Sequence, residues 1–302
     1  YEREIEKRLT ENGDGTFATE RVTFIGFPPE AIEGADFDSD GNLDIAVIGV
    51  SAGGTGSLQV FAGDGTGEFT AIPPMSLATT PGLIRVADLN NDGHPDLVLG
   101  GQRVEDPQAL VTVLLGTGDD RFVQVGEQAL RAQGLSFIDL SDLNEDGRED
   151  LVAGYATGPS SYALSVFAGR ADGSFGPASF TTSFTRSSFT RSSTAAFADL
   201  DADGHKDMVA AGDMEVAVLR GRGNGTFQEL SRSTLGGGHQ AVLLDDVNRD
   251  GRQDLLVTSP FSQELFVLLG NGDGSFGAPT SRRFLGAAQD GAVVADFDAD
   301  GH

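Results

Sequence analysis

Acidic side chains recur in this sequence at a spacing that suits a metal ion. The string Asp-x-(Asp/Asn)-x-Asp-Gly-x-x-Asp occurs five times in full, and a sixth copy begins near the last residue. Oxygen-bearing side chains two residues apart, with a glycine for the sharp turn, are the ligands that a hard cation such as Ca²⁺ prefers. The complete copies, called loops 1 to 5, are Asp36–Asp44, Asp88–Asp96, Asp142–Asp150, Asp199–Asp207 and Asp246–Asp254, and the partial copy is Asp296–His302.

These loops differ from the calcium loop of EF-hands, which lies between helices and closes with a bidentate Glu at its twelfth position. Loop 1 has Val47 at that position and loop 2 has Leu99. An Asp at position nine closes each loop instead, and an apolar run such as Ile45–Gly49 follows it. We therefore expect metal loops between β-strands. The alternative is a set of acidic turns without a metal, since Asp, Asn and Gly are common turn residues.

The composition narrows the classes of partner. The chain of 302 residues has 46 acidic and 20 basic residues, a formal net charge of -26, and no cysteine. Nucleic acid and anionic membrane surfaces are unsuitable partners, because phosphate binding needs a basic footprint. No apolar run reaches the roughly 18 residues of a membrane-spanning helix, so we expect no membrane insertion. The charged segment Tyr1–Leu9 is the one short candidate for a helix.

A repeat of about fifty residues organises the chain. The first residues of successive loops are 52, 54, 57, 47 and 50 positions apart, which is typical of a solenoid, a propeller or an array. Each unit reads as four antiparallel strands, with the metal loop between the first two and a glycine-rich hairpin between the last two. A Phe that should pack between sheets ends each hairpin: Phe17, Phe69, Phe122, Phe175, Phe227 and Phe276.

The hairpin that continues into Phe276-Gly-Ala-Pro279 resembles the FG-GAP repeat. The metal loops resemble those of the N-terminal propeller of integrin α subunits, and bacterial VCBS repeats share both features. The resemblance implies an all-β fold, a β-propeller of four-stranded antiparallel blades. It also implies Ca²⁺ bound by the side chains of loop positions one, three, five and nine and by the carbonyl of position seven. The implied ligands are Asp36, Asp38, Asp40, Asn42 and Asp44; Asp88, Asn90, Asp92, His94 and Asp96; Asp142, Asn144, Asp146, Arg148 and Asp150; Asp199, Asp201, Asp203, His205 and Asp207; Asp246, Asn248, Asp250, Arg252 and Asp254; and, in the incomplete sixth site, Asp296, Asp298 and Asp300.

One propeller domain is expected over residues 1–302, most simply with six blades. Its closing blade would be shared between residues 1–27 and 287–302, which would remove the free sheet edges that invite aggregation. A ring of seven blades with part missing is the alternative.

Five residues are candidates for contact with a ligand. Tyr155 and Tyr162 bound the connection between the second and third strands of one unit, and such loops often carry binding residues. Arg186 and Arg191 belong to the tandem pentapeptide Phe-Thr-Arg-Ser-Ser, which would otherwise be an extended outer strand. His239 is the one histidine outside the metal loops.

The leading functional expectation is a calcium-binding propeller at an extracellular, cell-surface or periplasmic location, acting as an adhesion or recognition module for protein or carbohydrate. No nucleophile elbow or zinc-spaced histidine pair indicates an enzyme. A polysaccharide lyase and a structural spacer are the alternatives.

Overall fold

The computed structural model describes residues 4–8, 21–103, 108–130, 132, 134–158, 161–185, 194–212, 215–235, 241–259 and 262–283. Over these residues the protein consists of β-strands and turns, without a helix, so the all-β prediction is confirmed. No helix in the described part has the length and apolarity to cross a membrane.

The apolar runs of the sequence form the central strands of antiparallel sheets. The strand that leaves each metal loop is almost wholly buried, as in Asp44–Val50 and Asp96–Arg103. The next strand, such as Ala109–Gly116, is buried to the same extent. Continuous apolar sequence is typical of strands that are covered on both faces. The fourth strand of each four-stranded sheet lies at an edge and is more polar and more exposed, as in Phe227–Thr234.

The chain divides into two compact units, and unit one comprises Tyr1–Ile138 with Arg170–Ser174. Its sheets have the orders β1-β2, β3-β4-β5-β6 and β8-β9-β10-β11, and β7 also pairs with β5. The strands are β1 (Glu4–Arg8), β2 (Arg21–Phe24), β3 (Pro29–Ala35), β4 (Asp44–Val50), β5 (Gly56–Gly63), β6 (Phe69–Ala71), β7 (Met75–Leu77), β8 (Thr79–Ala87), β9 (Asp96–Arg103), β10 (Ala109–Gly116) and β11 (Phe122–Ala129).

A hydrophobic cluster of described residues in unit one joins its two larger sheets. Phe37 of loop 1 is buried with Ile48 and Leu58 of the first sheet and with Leu97 and Leu114 of the second. Phe37 thus packs against apolar side chains of the second sheet, and this packing holds loop 1 against the neighbouring blade.

Unit two comprises Asp139–Gly169 and Phe175–His302. Its sheets have the orders β12-β13-β14-β15, β16-β17-β18-β19 and β20-β21-β22-β23. The strands are β12 (Leu135–Ser141), of which the first residues belong to unit one, β13 (Asp150–Gly158), β14 (Ser161–Gly169), β15 (Phe175–Thr185), β16 (Thr194–Ala198), β17 (Asp207–Ala211), β18 (Glu215–Gly221), β19 (Phe227–Thr234), β20 (Ala241–Asp245), β21 (Asp254–Ser259), β22 (Glu264–Leu268) and β23 (Thr280–Arg283).

A hydrophobic cluster of described residues in unit two joins the last two of these sheets. Leu200 of loop 4 is buried with Val209 and Val218 of one sheet and with Leu255 and Val257 of the other. Leu200 occupies position two of its loop, as Phe37 does in loop 1. In both loops an apolar side chain at this position is buried in the core.

The hairpin phenylalanines occupy equivalent places in the five larger sheets. Each pairs with the glycine that ends the third strand, and the pairs are Gly63–Phe69, Gly116–Phe122, Gly169–Phe175, Gly221–Phe227 and Gly270–Phe276. Phe175 and Phe227 are buried, whereas the other three are half-buried against a hydrophobic cluster. Phe17 lies outside the described residues.

Two local expectations are corrected. The candidate helix at Tyr1–Leu9 contains the strand Glu4–Arg8, which pairs with Arg21–Phe24, because partnering in a sheet overrides a weak local preference. The fourth strand of the last sheet, which the sequence predicts from Phe276 onward, begins at Thr280 instead, and Phe276 forms an isolated bridge. Pro279 has no N–H for the ladder, which explains the interruption. The predicted closing blade includes residues 287–302, which are outside the described part, and stays a prediction.

Candidate metal centre

Each of the five loops is folded by the same hydrogen bonds from its main chain to its acidic side chains. In loop 1, Asp40 N–H and Gly41 N–H donate to the two carboxylate oxygens of Asp36, at 3.0 and 2.9 Å. Asp40 N–H also donates to Asp38, and Asn42 N–H donates to Asp40 at 2.7 Å. Loops 2 to 5 repeat all four bonds. The side chains of positions one, three and five are therefore turned inward.

The residue at position four has a left-handed main-chain conformation, and this allows the side chains to turn inward. Non-glycine residues with positive φ are uncommon, yet position four has φ between 57° and 64° in all five loops. This conformation could not be predicted from the sequence, because the residues at position four share no side-chain property: Ser39, Asn91, Glu145, Ala202 and Arg249.

The Asp at position nine is buried and fixes the loop to the sheet. Asp44 accepts hydrogen bonds from Phe37 N–H at 2.7 Å and from Gly63 N–H, at the end of the third strand, at 2.8 Å. The same pair of bonds occurs in loops 2, 3 and 4. In loop 5, Asp254 accepts a hydrogen bond from Gly270 N–H, and its second oxygen is buried without a partner among the described residues. Position nine, predicted as a ligand, thus has a structural role that the sequence did not reveal.

Burial has a cost for these carboxylates. Desolvation raises the pKa of Asp96, Asp150 and Asp207 above the ordinary value for Asp, although main-chain N–H groups oppose the shift. A buried carboxylate that keeps its charge needs compensating positive charge or more donors.

Loops 1 and 4 bring three carboxylates within reach of a single ion. Oxygens of Asp36, Asp38 and Asp40 lie within 4.8 Å of one another. Oxygens of Asp199, Asp201 and Asp207 meet the same limit. These oxygen-only sets fit a hard cation.

Loops 2, 3 and 5 have Asn in place of Asp at position three. The amide groups of Asn90 and Asn248 each donate to the Asp at position five, at 2.8 and 3.2 Å. That of Asn144 donates to Asp150 at 3.2 Å. An amide donor thus relieves part of the repulsion that an acidic third residue would add.

Loop 4 has a basic side chain at its mouth. The Arg220 guanidinium, on β18, pairs closely with Asp201 and lies 3.4 Å from Asp203. Sequence reasoning missed Arg220, because it lies in a strand rather than in the repeated string.

Side chains at position seven contact the hairpin of the same sheet. A Cβ placed on Gly118 would lie 2.4 Å from the His94 ring, and one on Gly223 would lie 2.5 Å from the His205 ring. These two side chains thus face the hairpins, which is compatible with the predicted use of their carbonyls rather than their rings. The carboxylate of Glu145, hydrogen-bonded to His205, raises the pKa of that imidazole.

The predicted ligand-contact residues are not brought together among the described positions. Tyr155 lies within β13, and its hydroxyl is hydrogen-bonded to Ser165 at 2.8 Å. Tyr162 lies within β14 and is buried, because the two strands extend farther than expected and leave only a short connection. The remaining candidates lie outside the described residues: Arg186, Arg191, His239, Asp296, Asp298 and Asp300.

Comparison with known families agrees with the repeat seen in the loops. A family model described as FG-GAP-like repeat matches residues 36–99, 88–153, 142–210, 199–257 and 246–302. The chain belongs to the FG-GAP-like repeat family. Its matches begin at the first Asp of loops 1 to 5, so the family repeat and the metal loop coincide. A search of curated protein sequences found no match.

Two crystal structures of BBS1N support the fold. A crystal structure of BBS1N in complex with ARL6DN, soaked with mercury, has a TM-score of 0.53 at 11% identity and covers 85% of this chain and 69% of that chain. A second, soaked with lead, has a TM-score of 0.55 at 12% identity and covers 86% and 71%. The periplasmic gluconolactonase PpgL of Pseudomonas aeruginosa has a TM-score of 0.45 at 17% identity, with 90% of each chain covered. The FG-GAP-like repeats and the four-stranded antiparallel sheets identify the fold class as a β-propeller, as predicted.

Proposed function

We propose that this FG-GAP-like propeller is a calcium-stabilised recognition module that acts outside the cytosol and binds protein or carbohydrate. The observation that carries the calcium assignment is the repeated folding of five acidic loops around inward-turned oxygens. Without a metal, main-chain N–H groups alone would have to offset the repulsion between several carboxylates that lie close together. Ca²⁺ takes six to eight oxygen ligands in flexible geometry, which suits carboxylates, an amide and a carbonyl.

The proposed location follows from the supply of the ion. Extracellular calcium-binding modules work with dissociation constants of about 10⁻⁴–10⁻³ M, far above cytosolic levels of the ion. Exposed nine-residue loops with such dissociation constants would keep their Ca²⁺ ions outside the cytosol. The net charge of -26 also favours a calcium-rich medium, where cations reduce self-repulsion.

Counting bound ions tests the calcium assignment. Native mass spectrometry of the full chain, at increasing free Ca²⁺, should show several bound ions that EDTA removes. The matched variant Asp199→Asn should lose one of them, because it removes the carboxylate that organises loop 4. A wild-type chain that remains free of calcium at millimolar concentrations would contradict the proposal.

Recognition of a partner is the finer part of the proposal. The similarity to BBS1N, crystallised with ARL6DN, extends to the fold alone, but it includes a propeller that binds a protein. The candidate surface is the end of each sheet opposite the metal loops, where connections such as Ser51–Thr55 lie exposed.

Arrays of glycans and of extracellular proteins, probed with Ca²⁺ and with EDTA, test this recognition role. Calcium-dependent binding that Arg186→Ala/Arg191→Ala weakens would support it. A calcium-loaded chain that binds neither array would favour the structural spacer. The polysaccharide lyase stays a prediction, tested by adding acidic polysaccharides and measuring unsaturated products by their ultraviolet absorbance.

A further inference from the structure

One hairpin carries a carboxylate where the other described hairpins carry glycine. Asp120, between β10 and β11, has a left-handed main chain with φ of 61°. Such a conformation favours glycine, so an Asp at this position needs a compensating interaction. The equivalent residues two positions before the hairpin Phe are Gly67, Gly173, Gly225 and Gly274, with φ of 95°, 76°, 71° and 81°.

The equivalent glycines show where a side chain at this position is directed. A Cβ on Gly274 would lie 3.8 Å from the Cβ of Asp201, at position three of the loop in the preceding sheet. A Cβ on Gly225 would lie 3.6 Å from the Cβ of Asn144, at position three of its preceding loop. In these two units, a side chain at this hairpin position therefore faces the metal loop of the sheet before it, whereas a Cβ on Gly173 would lie 2.7 Å from Leu115 of the preceding sheet. For Asp120, that loop is loop 1.

Packing in unit one agrees with this assignment. The ring of Phe122, two residues after Asp120, meets the ring of Phe37 in loop 1 edge to face, with centroids 5.4 Å apart. The hairpin of the second sheet thus lies against loop 1. The negative charges of Asp44, Asp38 and Asp40, all in loop 1, act on the Asp120 carboxylate.

The Asp120 carboxylate is buried without compensation. Its residue is only 6% exposed, and its Oδ1 is buried and has no hydrogen-bond partner in the described part of the chain. An ionised carboxylate buried among other carboxylates is strongly unfavourable unless a cation joins them or a proton neutralises it. A bound ion would satisfy both the free oxygen and the surrounding charges.

We propose that Asp120 is a further ligand of the metal in loop 1, supplied by the neighbouring sheet, so that a single ion joins two blades. The inference rests on the proposed calcium binding of the loops. It adds a fifth carboxylate to those of Asp36, Asp38, Asp40 and Asp44. Because ligand charge raises calcium affinity, loop 1 becomes the tightest of the described sites.

The test compares Asp120→Asn with Asp119→Asn in the full chain. Asn keeps the shape and tolerates the left-handed main chain, whereas Asp119 is the neighbouring carboxylate, half-exposed and 3.6 Å from Arg121. Asp120→Gly is a second variant, since it restores the residue of the equivalent hairpins. Circular dichroism with EDTA first establishes that each variant is folded. Native mass spectrometry then gives the number of bound Ca²⁺ ions against free Ca²⁺.

We expect Asp120→Asn and Asp120→Gly to weaken the tightest site by about tenfold or more, while Asp119→Asn matches wild type. The same measurement on Asp36→Asn, which disrupts loop 1, should show no further loss when Asp120→Asn is added. Curves for both Asp120 variants that superimpose on that of a calcium-binding wild type would overturn this inference and leave the proposed function standing. Equal losses with and without Asp36→Asn would also overturn it. A wild type that binds no calcium would overturn the proposed function itself.

Discussion

Loops 1 and 4 have the same acidic residues at positions one, three, five and nine, but their surroundings balance that charge differently. Loop 4 is paired with the guanidinium of Arg220. Loop 1 has Ala62 at the equivalent strand position, no basic partner among the described residues, and the added carboxylate of Asp120. The repeated string thus specifies an acidic metal loop, and residues outside the string set how strongly that loop requires a cation.

The largest expected effect is that of chelation on the whole chain. Each filled site stabilises the native state by about 2.7 kcal/mol at a hundredfold excess of ligand over Kd. EDTA should therefore lower the melting temperature by about 10 °C or more. Readdition of Ca²⁺ should restore it, and Mg²⁺ should restore little, because Mg²⁺ dehydrates reluctantly.

Hydrogen exchange of the EDTA-treated protein tests the difference between loops 1 and 4. In EDTA, amides of residues 36–44 should lose more protection than those of residues 199–207, because Arg220 still neutralises loop 4. Melting within a degree or two of the calcium form, or equal loss of protection in both loops, would contradict this prediction.

The next largest effect concerns a feature that the two loops share. A Cβ on Gly63 would lie 2.1 Å from the carbonyl oxygen of Leu43, and one on Gly221 would lie 2.1 Å from that of Lys206. Gly63→Ala and Gly221→Ala should each cost about 2–3 kcal/mol of unfolding free energy, since main-chain atoms must move.

Gly82→Ala is the matched control, because no atom lies within 4 Å of the added carbon. Urea denaturation with Ca²⁺ present measures all three variants. If only one of the two glycine variants were destabilised, the contact between the third strand and the metal loop would not be a common property of the repeat.

A smaller effect is the pH dependence of the calcium-free protein. Burial, and then the charges of Asp44, Asp38 and Asp40, raise the pKa of Asp120 to about 6. The folded state therefore binds more protons than the unfolded state between about pH 4 and 6, and stability falls as the pH rises through that range. In EDTA the protein should melt at a higher temperature at pH 5 than at pH 7.

Other groups also contribute to this pH dependence, so the variants isolate Asp120. The raised pKa values of Asp96 and His205 act in the same direction, whereas Asp64, whose pKa is lowered, stays ionised throughout. Asp120→Asn should reduce the difference between pH 5 and pH 7 the most, and Asp119→Asn should reduce it less, because the charge of Asp119 is only one of several that raise the pKa of Asp120. An equal difference in wild type and Asp120→Asn would contradict the assignment.

The repeated features of this molecule could be predicted from the sequence, whereas the differences between repeats could not. The spacing of Asp and Gly predicted the loops, and the apolar run after position nine predicted strands such as β4. The hairpin containing Asp120 was recognised, but its departure from glycine has meaning only when the hairpin is placed against loop 1. Arg220 is 17 residues beyond Asp203, so its contact depends on the register between β17 and β18.

The smallest effect is that of the basic partner of loop 4. Replacing Arg220 by Gln removes the guanidinium from Asp201 and Asp203, and the calcium-free protein should lose about 1 kcal/mol, typical of a partly exposed ion pair. Calcium should then bind loop 4 more tightly, because the ion no longer competes with the guanidinium. Arg222→Gln is the control, since Arg222 lies on the same hairpin and contacts Gln228 instead. Titration by native mass spectrometry should show tighter binding in Arg220→Gln alone. Weaker calcium binding in Arg220→Gln would mean that Arg220 positions the carboxylates of loop 4 rather than competing with the metal. The difference between loops 1 and 4 would then lie in Asp120 alone.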